Sequence, residues 1–249
     1  MKISIITVSL NSAKVIERAI TSVESQNYKD FEHIVIDGGS TDGTLSFLNS
    51  GRHNLSFWVS EPDQGIYHAM NKGLERARGD VVCFLNADDY YATAEVFGTV
   101  VKEMSLKDLD ALYGDVVFFK KDNPGKIIRH YRSAGFTPDR IPSGFMPAHP
   151  ALFMRRDVFT DIGGFDIRYR IAGDFEFILR AFYKNNLRYE YLPEVFVKMQ
   201  SGGISTSGLR SKIQLNREVL NACRVNGVRT SWIKLLYKYL FKATELIIK

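Results

Sequence analysis

Cysteine is almost absent from this chain. Cys83 and Cys223 are the only two in 249 residues, too few for a disulfide framework and without the paired spacing of a zinc site. Cys83 sits in an apolar run, as a buried thiol does, and this usage fits a reducing compartment. Histidine is scarce too, with five residues and no zinc-like pair. No segment is apolar over the ~20 residues that a membrane-spanning helix needs. Met1 to Leu10 is apolar but short, carries one lysine, and runs into Asn11 and Ser12 without a small-residue cleavage site. It reads as a strand rather than a leader. Neither G-x-G-x-x-G nor G-x-x-x-x-G-K-[ST] follows a strand-like run, which sets aside dinucleotide oxidoreductases and P-loop phosphotransferases. There is no internal repeat and no low-complexity tract.

What is present suits one large α/β domain with a helical appendage. Hydrophobic residues make up 45% of the chain, enough for a core and too many for disorder. The net charge of +5 is unevenly placed. From residue 201 onward nine Lys or Arg stand against Glu218 and Glu245, so that segment carries +7 and residues 1–200 carry −2. The basic character therefore describes where the protein docks, not what it catalyses.

Short β-branched apolar runs at Ile3 to Val8, Phe31 to Ile36, Leu55 to Val59 and Val81 to Leu85 predict buried parallel strands. Val15, Ile16, Ala19, Ile20 and Val23 recur at helical spacing after the first. Leu45, Phe47 and Leu48 mark a helix after the second, and His68 to Arg78 a helix closed by Gly79. This alternation predicts a right-handed, mainly parallel sheet, in which ligands bind at the carboxyl ends of the strands. Asn11, Asp37 and Asp88 fall there. Further on, Val116 to Phe119 reads as a strand and Asp122 to Gly125 as a hairpin turn. Residues 133–150 read as a mobile loop, Asp174 to Tyr183 as a helix, and Ser201 to Gly203 as another loop.

Asn86-Ala87-Asp88-Asp89 is the most informative segment. Adjacent carboxylates after a buried strand repel, and a divalent cation such as Mg²⁺ or Mn²⁺ would relieve this while neutralising a diphosphate. A solvated loop with capping aspartates explains the segment equally well. Asp37 either accepts from a nucleobase or ribose, or shapes the turn through Gly38 and Gly39. Asp63 either faces a nucleoside or serves its own turn. Asn71 and Lys72 follow on a helix. Asp174 is a general base or the N-cap of its helix. Glu176, two residues later, points elsewhere. His149, between Pro147 and Pro150, contacts diphosphate, metal or acceptor, or is structural.

Taken in order, these segments resemble the family two glycosyltransferases of the GT-A fold, a Rossmann-like α/β architecture. The resemblance rests on Ile3 to Asn11, Val35 to Thr44, Glu61 to Tyr67, Ala69 to Gly73, Phe84 to Asp89, Tyr113-Gly114-Asp115, Gly163 to Asp166 and Ala172-Gly173-Asp174. It covers residues 1–205, leaving 206–249 as a helical, basic extension. It implies sugar transfer with inversion from a nucleotide-sugar donor to a hydroxyl of a saccharide or lipid-linked saccharide acceptor, in cell-surface polysaccharide biosynthesis. Asp174 matches the family's catalytic base. Asp88 matches the metal-binding acid of the D-x-D motif, for Mn²⁺ or Mg²⁺. Ser9, Asn11, Asp37, Asp63, Asn71, Asn86 and Asp88 form the implied nucleotide-sugar set. Ser205 lies in the segment that closes over the donor diphosphate. The chain departs from the pattern at Asn86, the first acid of D-x-D, at Gly38, where many members carry a second acid, and at Leu10, where an aromatic is usual. Uridine, guanosine and thymidine donors stay open, and so does a catalytically silent sugar-nucleotide or polysaccharide-binding module.

In the tail, Lys234, Lys238 and Lys242 recur every four residues beside Trp232, Ile233, Leu236 and other apolar residues. Such a helix lies on an anionic membrane surface, or packs on the catalytic domain or a second subunit. The expectation is a cytoplasmic protein, peripheral on the inner face of the cell membrane, with a homodimer left open. No base-stacking module or recognition helix points to nucleic acid.

Overall fold

A computed structural model of the chain describes residues 1–202 and 208–236. Ser205, and the part of the tail holding Lys238 and Lys242, lie outside the described residues. The apolar runs form strands β1 (Ile3–Ser9), β2 (Phe31–Asp37), β3 (Phe57–Ser60) and β4 (Val81–Asn86). Between them stand helices α1 (Ile16–Glu24), α2 (Thr44–Leu48) and α3 (Ile66–Arg76). Then follow β5 (Tyr90–Tyr91), α4 (Val96–Leu106), β6 (Ala111–Lys120), β7 (Asn123–Tyr131), β8 (Leu152–Arg155), α5 (Arg156–Ile162), α6 (Gly173–Ile178), β9 (Tyr189–Gln200) and α7 (Leu209–Val225).

Among the described residues these strands make one sheet in the order β3-β2-β1-β4-β8-β6-β9-β5, with β7 paired to β6. The strands β1 to β4, β6 and β9 share one direction, while β5, β7 and β8 oppose it. The sheet is thus mainly parallel, and the reversals enter in its second half through the short strands β5 and β8 and the hairpin partner β7.

Side-chain alternation along the strands builds two large cores and a smaller cluster of Ile16, Ile20, Val35, Leu48 and Ala87. Ile6, Val8, Ile34, Ile36, Val82 and Phe84 face α3, α6 and α7. Ile3, Ile5, Val81, Cys83 and Leu85 face α1 and α4. Gly79 does not close α3, which ends at Arg76 with Ala77 extended. A Cβ on Gly79 would come within 2.7 Å of the Lys2 carbonyl oxygen, so close chain approach requires glycine there.

Residues 133–150 are not a free loop. They contain short 3₁₀ turns at Ser133–Gly135 and Pro138–Ser143 and lead into another at His149–Ala151. Phe136 and Ile141 are buried, and the Phe136 ring packs edge-on against Tyr113 and Phe182 at 5.7 and 5.4 Å. The aromatic contacts outweigh the turn-rich composition. The hairpin turn is also tighter than the Asp122 to Gly125 reading: Lys120 pairs with Asn123, leaving Lys121 and Asp122 at the tip. The helix α7 belongs to the main core, where Val219, Ala222 and Cys223 are buried together with Val228 and Leu235. The described part of the extension thus packs on the domain that precedes it.

Candidate active site

The register aligns Ser9 with Asp37, Asp37 with Ser60, and Val8 with Asn86, so the strand ends converge on one edge of the sheet. Their side chains do not all point the same way. Asn86 continues the Val82–Phe84 row toward α3 and α6, whereas Ser9 and Asp37 continue rows facing α1 and α2.

Asp37 is fully buried, and its two oxygens are occupied by the turn that follows. They accept from the Gly39 and Ser40 amides at 3.1 and 2.8 Å, and from the Ser40 and Ser60 hydroxyls at 2.5 and 2.7 Å. Of the two readings of Asp37, the geometry favours the turn. Asn11 has φ +51°, the left-handed region, and its Oδ1 accepts from the Thr41 amide at 2.9 Å. Asn has a lower penalty there than most residues, and the bond joins the first loop to the second. Ser9 Oγ is buried without a hydrogen-bond partner. Asp63 lies against Gly38: a Cβ at position 38 would meet its Oδ2 at 2.5 Å. A side chain at position 38 would therefore displace the Asp63 carboxylate, whose Oδ1 accepts from the Gly65 amide at 2.7 Å.

Asn71 was expected among the donor contacts, but its amide is committed to the fold. Its Nδ2 donates to the Phe165 carbonyl and its Oδ1 accepts from the Phe165 amide, both at 2.8 Å. These reciprocal bonds hold the Gly163-Gly164-Phe165-Asp166 turn against α3. Lys72 pairs with Glu61 at 2.7 Å and is equally structural.

In the Asn86 to Asp89 segment, the two adjacent acids diverge. Asp89 is buried and accepts from the Gln200 amide at 3.1 Å and from Asn86 Nδ2 at 3.2 Å. Burial, then the neighbouring Asp88 charge, raise its carboxyl well above the ordinary range. Asp89 thus anchors the end of β9. Asp88 is half-buried; burial raises its carboxyl, while the charges of Arg18 and Lys121 act in the opposite sense. Arg18, on α1, donates to the Asp88 carbonyl at 3.0 Å, and its guanidinium lies 4.7 Å from the Tyr90 and Phe119 ring centres. It braces this segment from beneath.

No three His, Cys, Asp or Glu side chains cluster as a complete metal cage among the described residues. Asn86 Oδ1, however, is buried with no hydrogen-bond partner. An orphaned acceptor two residues from the Asp88 carboxylate offers a partial oxygen shell. That suits a hard divalent ion that completes its coordination with substrate phosphates and water.

Asp174 is not the N-cap of its helix. The cap position is Ala172, and Asp174 lies in the first turn of α6, half-buried. Its Oδ1 accepts from the Phe175 amide at 2.7 Å. The Tyr67 hydroxyl is 3.3 Å from the same oxygen but 2.7 Å from the Ile171 carbonyl, where its single proton is better used. Burial pushes Asp174 up to about 6. From outside, Glu218 of α7 accepts from the Arg170, Ile171 and Ala172 amides at 3.2, 2.8 and 2.8 Å, holding the entry to α6. Glu176 is buried against Arg180, whose guanidinium also donates to the Gly164 carbonyl at 2.6 Å. The two acids of α6 thus have separate tasks.

His149 is buried and pushed down to about 4, hence neutral at pH 7. Its ring stacks on Phe84 at 5.3 Å and meets Phe165 edge-on at 5.6 Å; Phe165 in turn lies 5.7 Å from Tyr67. This chain of rings connects Asn86's face of β4 to the Tyr67–Asp174 pair. Sequence reasoning missed three residues. Tyr67 stood inside a motif without a role, Glu218 counted only as a tail charge, and nothing in the sequence marked Arg18.

Residues 4–163 match the profile of Glycosyl transferase family 2. An uncharacterised glycosyltransferase of Mycobacterium tuberculosis is 36% identical over 182 residues, 72% of this chain and 68% of that protein. A PGL/p-HBAD biosynthesis glycosyltransferase of Mycobacterium bovis is 34% identical over 210 residues, 82% of this chain and 79% of its own length. Among solved structures, residues 1–349 of TarS from S. aureus with UDP-GlcNAc superpose with a TM-score of 0.67 at 21% identity, over 90% of this chain and 72% of that one. In another crystal structure of the same TarS fragment the chain spans 65% of the length. A mannosyltransferase from Pyrobaculum calidifontis, in complex with GDP-Man and Mn²⁺, gives 0.62 at 19% identity, over 94% of this chain and 68% of that one. These structural likenesses establish the GT-A fold, and with the matched profile and the relatives they lead to one conclusion: the chain belongs to glycosyl transferase family 2.

Proposed function

We propose that this protein transfers a sugar, with inversion, from a nucleoside-diphosphate sugar to a hydroxyl of a saccharide acceptor, and that the acceptor is lipid-linked and serves cell-surface polysaccharide assembly. The observation that carries the reading is Asp174: a carboxylate in the first turn of α6, held near pKa 6 by burial, on the same face of the sheet as Asn86. A base poised there is ionised at pH 7 and still accepts a proton. The acceptor hydroxyl would give its proton to Asp174 as its oxygen bonds to the anomeric carbon. The bond from that carbon to the diphosphate breaks on the opposite face, and the electron pair leaves with the nucleoside diphosphate.

Asp88 and Asn86 Oδ1 would hold Mn²⁺ or Mg²⁺, which supplies charge neutralisation for the leaving diphosphate. Asp63 and the loop carrying Asn11 would line the nucleoside, with Asp37 acting through the turn it organises. Neutral His149 would face the diphosphate or acceptor from beside Phe84. Trp232, Ile233 and Leu236 are exposed at the start of the basic tail, which supports docking on an anionic membrane surface. No described helix is long and apolar enough to cross a membrane.

The test is a panel of nucleotide sugars assayed for hydrolysis and transfer with Mn²⁺, Mg²⁺ or EDTA. Metal-dependent release of one nucleoside diphosphate is the expected result. Binding of a donor without turnover, even with a membrane-lipid extract as acceptor, would favour a silent binding module instead, the reading that Asn86 in place of an acid keeps open.

A further inference from the structure

The metal subsite of this chain is short of charge. Asn86 replaces one acid, Asp89 is withdrawn into the fold, and Asp88 is left as the single available carboxylate. A cation bound there is held less firmly than by two acids, yet the diphosphate leaving group still gathers negative charge as it departs. The hairpin between β6 and β7 carries Lys121 at its tip.

The end of β6 is fastened to the Asn86 to Asp89 segment in several ways. Phe119 packs on Tyr90 at 5.3 Å, and the Arg18 guanidinium lies 4.7 Å from both ring centres. The Phe119 carbonyl accepts from the Ser201 amide at 3.0 Å, next to Gln200, whose amide donates to Asp89. Lys121 follows Phe119 by two residues, in a turn closed by the Lys120–Asn123 pair. The hairpin tip is thereby held near the Asn86 to Asp89 segment at the carboxyl end of β4. Lys121 is exposed and makes no hydrogen bond or ion pair among the described residues. An exposed ammonium on a hairpin fastened to that segment has phosphate as its natural partner.

We infer that Lys121 binds the diphosphate of the donor and shares with the metal the neutralisation of the leaving group. The inference rests on the nucleotide-sugar reading above. In the transfer, the anomeric carbon–oxygen bond breaks and its electron pair goes to the terminal phosphate oxygen. The Lys121 ammonium, already protonated, donates a hydrogen bond to that phosphate and transfers no proton. Lys126, further along the exposed arm of the hairpin, takes no part.

The experiment is calorimetric titration of the full chain, in EDTA, with a nucleoside and its diphosphate for the uridine, guanosine and thymidine series. Wild type, Lys121→Gln, Lys121→Arg and Lys126→Gln are compared. Lys121→Gln should weaken diphosphate binding by about 5- to 20-fold, the scale of a charge-assisted contact at a partly exposed site. It should leave nucleoside binding unchanged. Lys121→Arg should recover most of the loss, and Lys126→Gln should match wild type. With metal restored, Lys121→Gln should need more Mn²⁺ for half-maximal turnover. Unchanged diphosphate affinity in Lys121→Gln, or an equal loss for the bare nucleoside, overturns the role of Lys121 alone. A wild type that binds no nucleoside diphosphate either in EDTA or with Mn²⁺ restored overturns the donor reading and this inference with it.

Discussion

Asp174→Asn removes the charge while leaving an oxygen to accept from the Phe175 amide, so it separates what the carboxylate does for chemistry from what it does for the fold. Burial holds Asp174 near 6 in the folded protein, against an ordinary value of 3.8. Between those pH values the folded state keeps a proton that the unfolded chain has lost. Above pH 6 the side chain is ionised in both states, and the folded state bears the full cost of a desolvated charge. Below 3.8 it is neutral in both and the cost disappears. The raised value corresponds to at most about 3 kcal/mol, and a half-buried group with water nearby delivers about 1–2 kcal/mol of it. The variant should therefore be more stable than wild type at pH 8, by about 2–6 °C in Tm, with the difference fading below about pH 4. Transfer should fall by about 10²–10⁴ in kcat, and wild-type kcat should decline as pH drops through about 6. Urea or thermal unfolding at several pH values, alongside donor turnover, measures both effects. A variant that is less stable at pH 8 would show that Asp174 serves the fold. One that keeps its turnover would refute its role as base.

Glu218→Ala frees the three amides at the entry to α6 and should cost about 2–3 kcal/mol in unfolding free energy. Because it acts through Asp174, kcat should fall while donor KM stays within about twofold, a split that follows from lost orientation of the base. Asn71→Ala breaks both bonds to Phe165 and should cost a similar ~2–3 kcal/mol, with donor affinity preserved; lost affinity at unchanged stability would return Asn71 to the donor pocket. Removing residues 237–249 leaves the buried Leu235 and the Thr230–Pro142 hydrogen bond in place. By removing Lys238, Lys242 and Lys249 that truncation should weaken binding to anionic vesicles in a sedimentation assay and spare turnover of soluble acceptors; loss of both would assign the tail to the fold.

The first four strands, their shared direction and the edge at which they end were legible in the sequence, because buried parallel strands are written as continuous β-branched runs and their loops as polar clusters. Asp88 and Asp174 stood out only through the family resemblance, because each had a bland local explanation as a cap or a solvated turn. Local reading could not decide which face of a strand end a side chain occupies. Ser9 and Asp37 fall one residue out of phase with Asn86, and only the register between strands places them on the far face. Nor could it separate a ligand contact from a structural amide. Asn71 meets Phe165 ninety-four residues away, and no local periodicity encodes a partner at that distance. The same holds for Arg18 beneath Asp88 and Glu218 behind Asp174. Sequence by itself determined what depends on neighbours along the chain: strand and helix periods, turn chemistry, and the kinds of group at the strand ends. Tertiary structure alone decided which of those groups stay free for a ligand, because the hydrogen bonds that use them up come from distant segments.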